Sequence, residues 1–271
     1  MSDWVSNFPL VRHIRELREK TGGSASIGWM YDEPAFLLYA LAKWYKPELV
    51  IQTGHLWGKS AMVVLEALHD GFLMSAEGMM EEEQDADKKL GAFIAANRPS
   101  PPQRPKVISI DPLPKGVPDS DAGIRYLREY DPNFEFYQMK SDEFFRAHGG
   151  RLAKEFSGRR IMGIVDGDHT WEGCMQDLES LAKLGAQFIV VDDMAWLPHL
   201  RRAAGEFGRR NGYEFFTLPF FTGMGLLWRR GEISISPKVR KYPYSLKEFF
   251  YAIGGLGLIN FARRLKHLIV G

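Results

Sequence analysis

The sequence predicts an α/β fold in which a mostly parallel sheet is covered by helices on both faces. Short apolar runs of strand length recur along the chain: Leu49-Val50-Ile51, Val107-Ile108-Ser109-Ile110, Phe134-Glu135-Phe136-Tyr137, Ile161-Met162-Gly163-Ile164-Val165 and Phe188-Ile189-Val190-Val191. Most of these runs are continuous rather than alternating, as in strands buried on both faces. Stretches of helical length separate most of them, which makes the strands parallel and lays the connections over the sheet.

The elements follow in order. Pro9 to Lys20 carries Leu10, Ile14 and Leu17 at helical spacing, and residues 1–32 read as an N-terminal helical segment. A loop with Gly22, Gly23 and Gly28 follows. Asp32-Glu33-Pro34 reads as a helix start, with Asp32 as cap and proline inside the first turn, and the helix stops before Pro47. Residues 33–232 form the main domain. After the first apolar run comes a glycine turn, then a helix over Ser60 to His69. Residues 71–105 are too long for a helix-to-strand loop and hold Glu81-Glu82-Glu83, a helix to about Asn97 and a proline-rich stretch. They read as a surface insertion, with a cover over a pocket as the functional alternative. Helices are expected over Ser141–Phe156 and Thr170–Leu184. Tyr213–Thr217 and Met224–Arg229 lack a helix between them and read as a closing antiparallel pair.

Composition narrows the function classes. The chain has 271 residues, 45% hydrophobic and 25% charged, the proportions of a globular domain with room for a small appended element. A formal net charge of +1 gives no global field toward nucleic acid, so no nucleic-acid partner is expected. Cys174 is the single cysteine, so no intramolecular disulfide forms, which fits a reducing compartment. Met1-Ser2-Asp3-Trp4 lacks the basic start and apolar run of a secretory signal, and no apolar run reaches the roughly 18–20 residues that span a bilayer. The expected location is cytoplasmic.

Residues 233–271 form a C-terminal extension with a basic and apolar character. Lys238, Arg240, Lys241, Lys247, Arg263, Arg264 and Lys266 flank Phe249-Phe250-Tyr251-Ala252-Ile253 and Leu256-Gly257-Leu258-Ile259. Glycines weaken a free helix there by about 1 kcal/mol each, so the run should gain order by docking. The expected partner is the protein's own core or a second subunit in a homo-oligomer, and a membrane surface is the alternative.

In an open parallel sheet, ligands bind outside the carboxyl ends of the strands. The residues at those exits are Thr53-Gly54-His55-Leu56-Trp57-Gly58-Lys59-Ser60, Asp111, Ser141-Asp142, Asp166-Gly167-Asp168-His169 and Asp192-Asp193. Gly54 and Gly58 let the backbone pass close to a ligand, and Ser60 lies in the first turn of a helix whose free N–H groups favour an anion. Gly54 stands four residues before Gly58, where a nucleotide triphosphate loop requires five, so the turn argues against an NTPase. Asp111 is placed to accept hydrogen bonds from ribose hydroxyls, or else is a loop aspartate before Pro112. Asp166, Asp192 and Asp193 would converge if their strands are neighbours, and three carboxylates brought together call for a cation. All-oxygen ligands point to Mg²⁺, Mn²⁺ or Ca²⁺. Helix capping is the alternative for these aspartates. Asp168 and His169 remain as candidates for a general base.

Leu49-Val50-Ile51-Gln52-Thr53-Gly54…Gly58-Lys59-Ser60, Val107…Asp111-Pro112, Ile164-Val165-Asp166-Gly167-Asp168-His169-Thr170-Trp171-Glu172-Gly173 and Val190-Val191-Asp192-Asp193 resemble, in matching order from about Glu33 to Arg230, one group of class I methyltransferases. It is the group of macrocin-type sugar O-methyltransferases and proteins described as cephalosporin hydroxylases. The resemblance implies a Rossmann-like methyltransferase fold with a seven-stranded sheet, and S-adenosylmethionine across the ends of the first strands. It implies that Gly54 and Ser60, with Thr53 and Gly58 in the same turn, border the methionine part, Asp111 the ribose and Ser141-Asp142 the adenine. Asp166 would face both cofactor and metal, Asp192 and Asp193 would complete the metal site, and Asp168 would be the base. The implied activity is metal-dependent O-methylation of a small-molecule hydroxyl, on a sugar or a natural-product intermediate. Gln52 is a departure, since the family has a glutamate there; glutamine still hydrogen-bonds but carries no charge. Two other readings stand beside it: a ligand-binding module on the same fold without turnover, and a metal-dependent hydroxylase, for which no facial pair of histidines with an acid is evident.

Overall fold

The computed structural model describes residues 9–21, 30, 32–76, 105–112, 120–218 and 222–231. The chain divides into two compact units, Met1–Arg230 and Gly231–Gly271. The extension over 233–271 and residues 77–104 of the expected insertion lie outside the described residues.

The first unit runs α1 (Pro9–Thr21), α2 (Asp32–Tyr45), β1 (Leu49–Thr53), α3 (Lys59–Ala76), β2 (Lys106–Ile110), α4 (Ser120–Tyr130), β3 (Phe134–Tyr137), α5 (Ser141–Glu155), β4 (Ile161–Val165), α6 (Trp171–Leu184), β5 (Phe188–Val191), α7 (Pro198–Asn211), β6 (Tyr213–Leu218) and β7 (Met224–Arg229). The helix after the glycine turn continues to Ala76, past the His69 expected from sequence, so the insertion begins later than its composition suggested. The seven strands form one sheet in the order β3-β2-β1-β4-β5-β7-β6. β1 through β5 pair in parallel, while β7 runs antiparallel to both β5 and β6, which is the closing pair expected from the missing helix.

The sheet's two faces separate two helical layers. Ile51, Ile110, Val165 and Val191 point into a core shared with Phe144 of α5, Leu178 and Leu181 of α6, and Phe207 of α7. On the other face α3 packs on α1 and α2, and α1 packs on α4. The continuous apolar runs are explained by this double covering: every residue of β1, β4 and β5 is buried. α1 is tied down by His13 and Glu16, which both hydrogen-bond the Tyr126 hydroxyl of α4.

Helix ends follow local chemistry. The Thr170 side chain accepts the Gly173 N–H to cap α6, and Gly185 closes it at φ 103°, a left-handed backbone that glycine adopts without penalty. No helix among the described residues is long and apolar enough to cross a membrane.

The strand order fixes where a ligand can lie. From β1 the chain moves outward through β2 to β3, then returns to β4 on the other side of β1. That reversal opens a crevice at the carboxyl ends of β1 and β4. Thr53 and Val165 are register partners at its floor.

Candidate functional site

A cavity of about 940 Å³ opens at this reversal, bordered by the glycine turn, Asp111, the start of α5 and the exits of β4 and β5. Its volume suits a ligand larger than a single small metabolite.

The glycine turn is held from both sides. The Gly54 N–H donates to the Ile110 carbonyl, and the Gly58 N–H donates to that of His55. Gly54 has φ +82°, and a Cβ on it would stand 2.0 Å from the Asp166 carbonyl oxygen. Only glycine lets β1 and β4 close up at this point. Leu56 also has positive φ, at 47°. Asp111 supports that strained turn: its Oδ2 accepts the N–H groups of His55 at 2.7 Å and Leu56 at 3.0 Å. The expected ribose acceptor thus also fastens the loop that would border the cofactor.

Gln52 points to the other face of β1. Its Nε2 donates to the Ser60 Oγ and the Gly54 carbonyl, linking the strand end to the first turn of α3. Ser60 is therefore engaged with Gln52 while it lines the cavity. Lys59, in the same turn, is buried with its Nζ donating to the Met30 carbonyl at 2.6 Å. His55 is buried against the rings of Phe134 and Phe136. Burial lowers its pKa to about 4 despite the opposing field of Asp111, so the ring is neutral at physiological pH.

Ser141 and Asp142 open α5 at the cavity wall, with Asp142 paired to Arg146 at 2.9 Å. Beneath them lies Asp177 of α6, a residue the sequence reading missed. It is 1% exposed and lines the cavity. The signal was available: on α6 Cys174, Leu178 and Leu181 make the buried face, and Asp177 falls among them. Neither Asp177 oxygen meets a hydrogen-bond donor at bonding distance, and Thr53 Oγ1 is equally without a partner. Burial pushes the Asp177 carboxyl up to about 6, and the nearby hydroxyls of Ser141 and Thr53 offset this in part.

The acidic exits of β4 and β5 meet because these strands are neighbours. Asp166, His169 and Asp193 bring ligand atoms within 4.8 Å of one another, so His169 joins two of the three expected acids, and Asp192 lines the same cavity. His169 Nε2 lies 3.5 Å from Asp166 Oδ1 and 3.7 Å from Asp193 Oδ2. Asp192 is buried, and its Oδ1 accepts the Asp193 N–H and the Thr222 hydroxyl. Asp193, at φ +59°, lines the cavity beside it. This group of candidate ligand atoms is two carboxylates and one imidazole.

Past Asp166 the chain leaves the strand in a bend, and Asp168 Oδ1 accepts the Thr170 N–H while His169 turns to the carboxylates. Asp168 still lines the cavity.

The electrostatics are those of crowded like charge. The hydrogen bond that the imidazole donates to the Asp166 carboxylate raises the His169 pKa against the effect of burial, with the charges of Asp166, Asp193 and Asp192 adding to it. Burial raises Asp193, with the Asp166 charge adding to it. Burial and the charges of Asp166 and Asp193 hold Asp192 well above the ordinary carboxylate range. An excess of negative charge around one imidazole favours an added cation.

No protein-family model and no curated protein matches the chain. Solved structures do. The chain is similar to an O-methyltransferase from Bacillus cereus solved with S-adenosylhomocysteine (11% identity, 84% of this chain and 96% of that one, TM-score 0.56). It is similar to the O-methyltransferase TomG from Streptomyces achromogenes solved with S-adenosylmethionine (12% identity, 84% and 95%, TM-score 0.55). It is also similar to a methyltransferase from Podospora anserina solved with S-adenosylhomocysteine (13% identity, 81% and 87%, TM-score 0.53). The fold is the Rossmann-like fold of class I methyltransferases.

Proposed function

We propose that the protein transfers a methyl group from S-adenosylmethionine to a hydroxyl of a small molecule, with a divalent cation beside the acceptor. The observation that carries this reading is one cavity holding three things: the glycine turn fastened by Asp111, an unpartnered buried carboxylate, and the cluster of Asp166, His169 and Asp193. The cofactor fits this setting. Gly54 permits close backbone approach, and Thr53 and Asp177 bring buried polar atoms to the cavity wall. Asp111 is the ribose acceptor in this reading, and Ser141 and Asp142 border the adenine.

A divalent cation fits the second setting: the two carboxylates suit Mg²⁺ or Mn²⁺, and the imidazole, a ligand of transition metals, tilts the mixed set toward Mn²⁺. Asp166, His169 and Asp193 would hold it, and bound there it would lower the pKa of the acceptor hydroxyl. Asp192 supports the site from behind by fixing the turn that aims Asp193. Asp168 takes the hydroxyl proton on its carboxylate, which the Thr170 N–H holds in orientation. The acceptor oxygen then attacks the sulfonium methyl in line, and the methyl–sulfur bond breaks with the electron pair staying on sulfur. Most of the acceleration comes from holding the two reactants together.

The acceptor is a sugar or a natural-product intermediate in this reading. TomG acts in tomaymycin synthesis, which supports the second. Calorimetry with S-adenosylmethionine, with and without Mg²⁺ or Mn²⁺, tests the cofactor, and labelled methyl transfer into acceptor pools tests the reaction. Cofactor binding with no transfer into any pool would favour the binding module that Gln52 suggested. No cofactor binding at all would end the proposal.

A further inference from the structure

His199 is the second residue of α7 and plays no part in the methyl transfer described above. Its Nε2 lies 2.6 Å from the main-chain carbonyl oxygen of His169, 30 residues earlier in the chain. A carbonyl oxygen can only accept, so this ring nitrogen carries a proton and donates it. The bond reaches His169 through the main chain and leaves the imidazole to Asp166 and Asp193. α7 itself is held by Leu200, Ala203 and Phe207, all buried in the core, so the donor rides on a packed element.

The surrounding geometry is a closed ring of chain. At one end β4 and β5 pair through Val165 and Val191, and the Asp192 N–H donates to the Val165 carbonyl at 3.0 Å. From there one exit runs through Asp166 to His169, and the other runs through Asp193 to α7. Each exit is fastened within itself. Asp168 Oδ1 accepts the Thr170 N–H in the first, and the Leu197 N–H donates to the Asp193 carbonyl at 3.0 Å in the second. Neither of those bonds crosses between the exits. The His199 bond does, and it closes the ring at the end away from the strand ladder. Asp166, His169 and Asp193 all lie on that ring. Carboxylates facing each other repel, so the two exits are pushed apart unless something ties them.

We propose that His199 is a positioning residue for the cation: its hydrogen bond to the His169 carbonyl holds the β4 exit against the β5–α7 turn, so that Asp166, His169 and Asp193 converge on one ion. This rests on the cation reading of the site and adds to it a residue that touches neither cation, cofactor nor acceptor.

The test is a calorimetric titration of Mn²⁺ into the full chain with S-adenosylhomocysteine present. His199→Leu removes the donor and keeps similar bulk, while His199→Gln keeps an N–H at comparable reach. His199→Leu should bind Mn²⁺ about ten-fold more weakly than wild type, the lower end of the loss when a partner behind a metal ligand is removed. His199→Gln should recover most of that loss. S-adenosylhomocysteine should bind all three proteins alike, which confines the effect to the cation. His199→Leu that binds Mn²⁺ as wild type does overturns the tie and leaves the cation reading intact. His199→Gln that binds no better than His199→Leu also overturns it, because the donated hydrogen bond would then not matter. So does His199→Leu that loses S-adenosylhomocysteine together with Mn²⁺, since the bond would then serve the fold and not the site. Wild type that takes no Mn²⁺ brings down the cation reading, and the tie with it.

Discussion

Replacing Asp177 by asparagine should stabilise the protein at neutral pH, and the gain should fade in acid. Asp177 is buried, and neither oxygen has a hydrogen-bond partner at bonding distance. Burial raises its pKa to about 6 from an ordinary 3.8. In the unfolded chain the group ionises near pH 4; in the folded chain it holds its proton to about pH 6. The folded state therefore binds more protons between those values, and stability falls as pH rises through the window. Above about pH 6 the whole cost of a buried charge is present. A shift of about two units corresponds to about 3 kcal/mol, an upper figure because the asparagine amide needs partners of its own. The Thr53 and Ser141 hydroxyls can supply some of them. The expected gain is about 1–3 kcal/mol at about pH 7.5 and near zero at about pH 4. Equilibrium urea unfolding of both proteins at the two pH values measures it, read from the midpoint at constant slope. A variant less stable than wild type at pH 7.5, or a gain that persists at pH 4, refutes the reasoning. If the carboxylate is kept for the cavity's ligand, the same variant should also bind S-adenosylmethionine more weakly.

Asp111→Ala removes the acceptor for two turn N–H groups, and stability or cofactor affinity should fall by about 1.5–3 kcal/mol. Melting and calorimetry that both match wild type would exclude Asp111 from the site. Asp193→Asn should cut methyl transfer strongly while leaving S-adenosylmethionine binding nearly intact, and chelator should act likewise on wild type, reversibly with Mg²⁺ or Mn²⁺. Full activity in excess chelator would end the metal reading. Asp168→Asn should lower turnover by roughly 10²–10⁴-fold without weakening metal binding, whereas His169→Ala should weaken metal binding. The reverse pattern, read by metal titration and turnover together, would exchange the two roles.

The fold was legible because its main signals are local. A continuous apolar run such as Ile161–Val165 is a strand buried on both faces whatever surrounds it, and the structure places it with those bounds. Parallel pairing followed from helices between the runs, and the antiparallel end from the missing helix before Met224. The glycine turn was legible too, since Gly54 and Gly58 both take positive φ. Asp177 stands at no strand exit, and its only mark in the sequence is an acid among Cys174, Leu178 and Leu181 on the apolar face of an amphipathic helix.

Sequence by itself determined which residue types reach the carboxyl edge of the sheet, because a strand's end is set by its own apolar run and turn residues. It also determined that Gly54 and Gly58 make a turn where the backbone can pass close to a ligand, while the packing of Gly54 on the β4 exit came with folding. Only the tertiary structure decided which of the acids share a site. Alternation is reliable inside a strand and lapses where the backbone leaves it, so the left-handed Asp193 and the bend after Asp166 bring His169 to the two carboxylates. Likewise, only folding showed that Asp111 fastens the glycine turn and that Trp196 faces the cavity. Those relations join residues far apart in the chain, and nothing in local spacing encodes them.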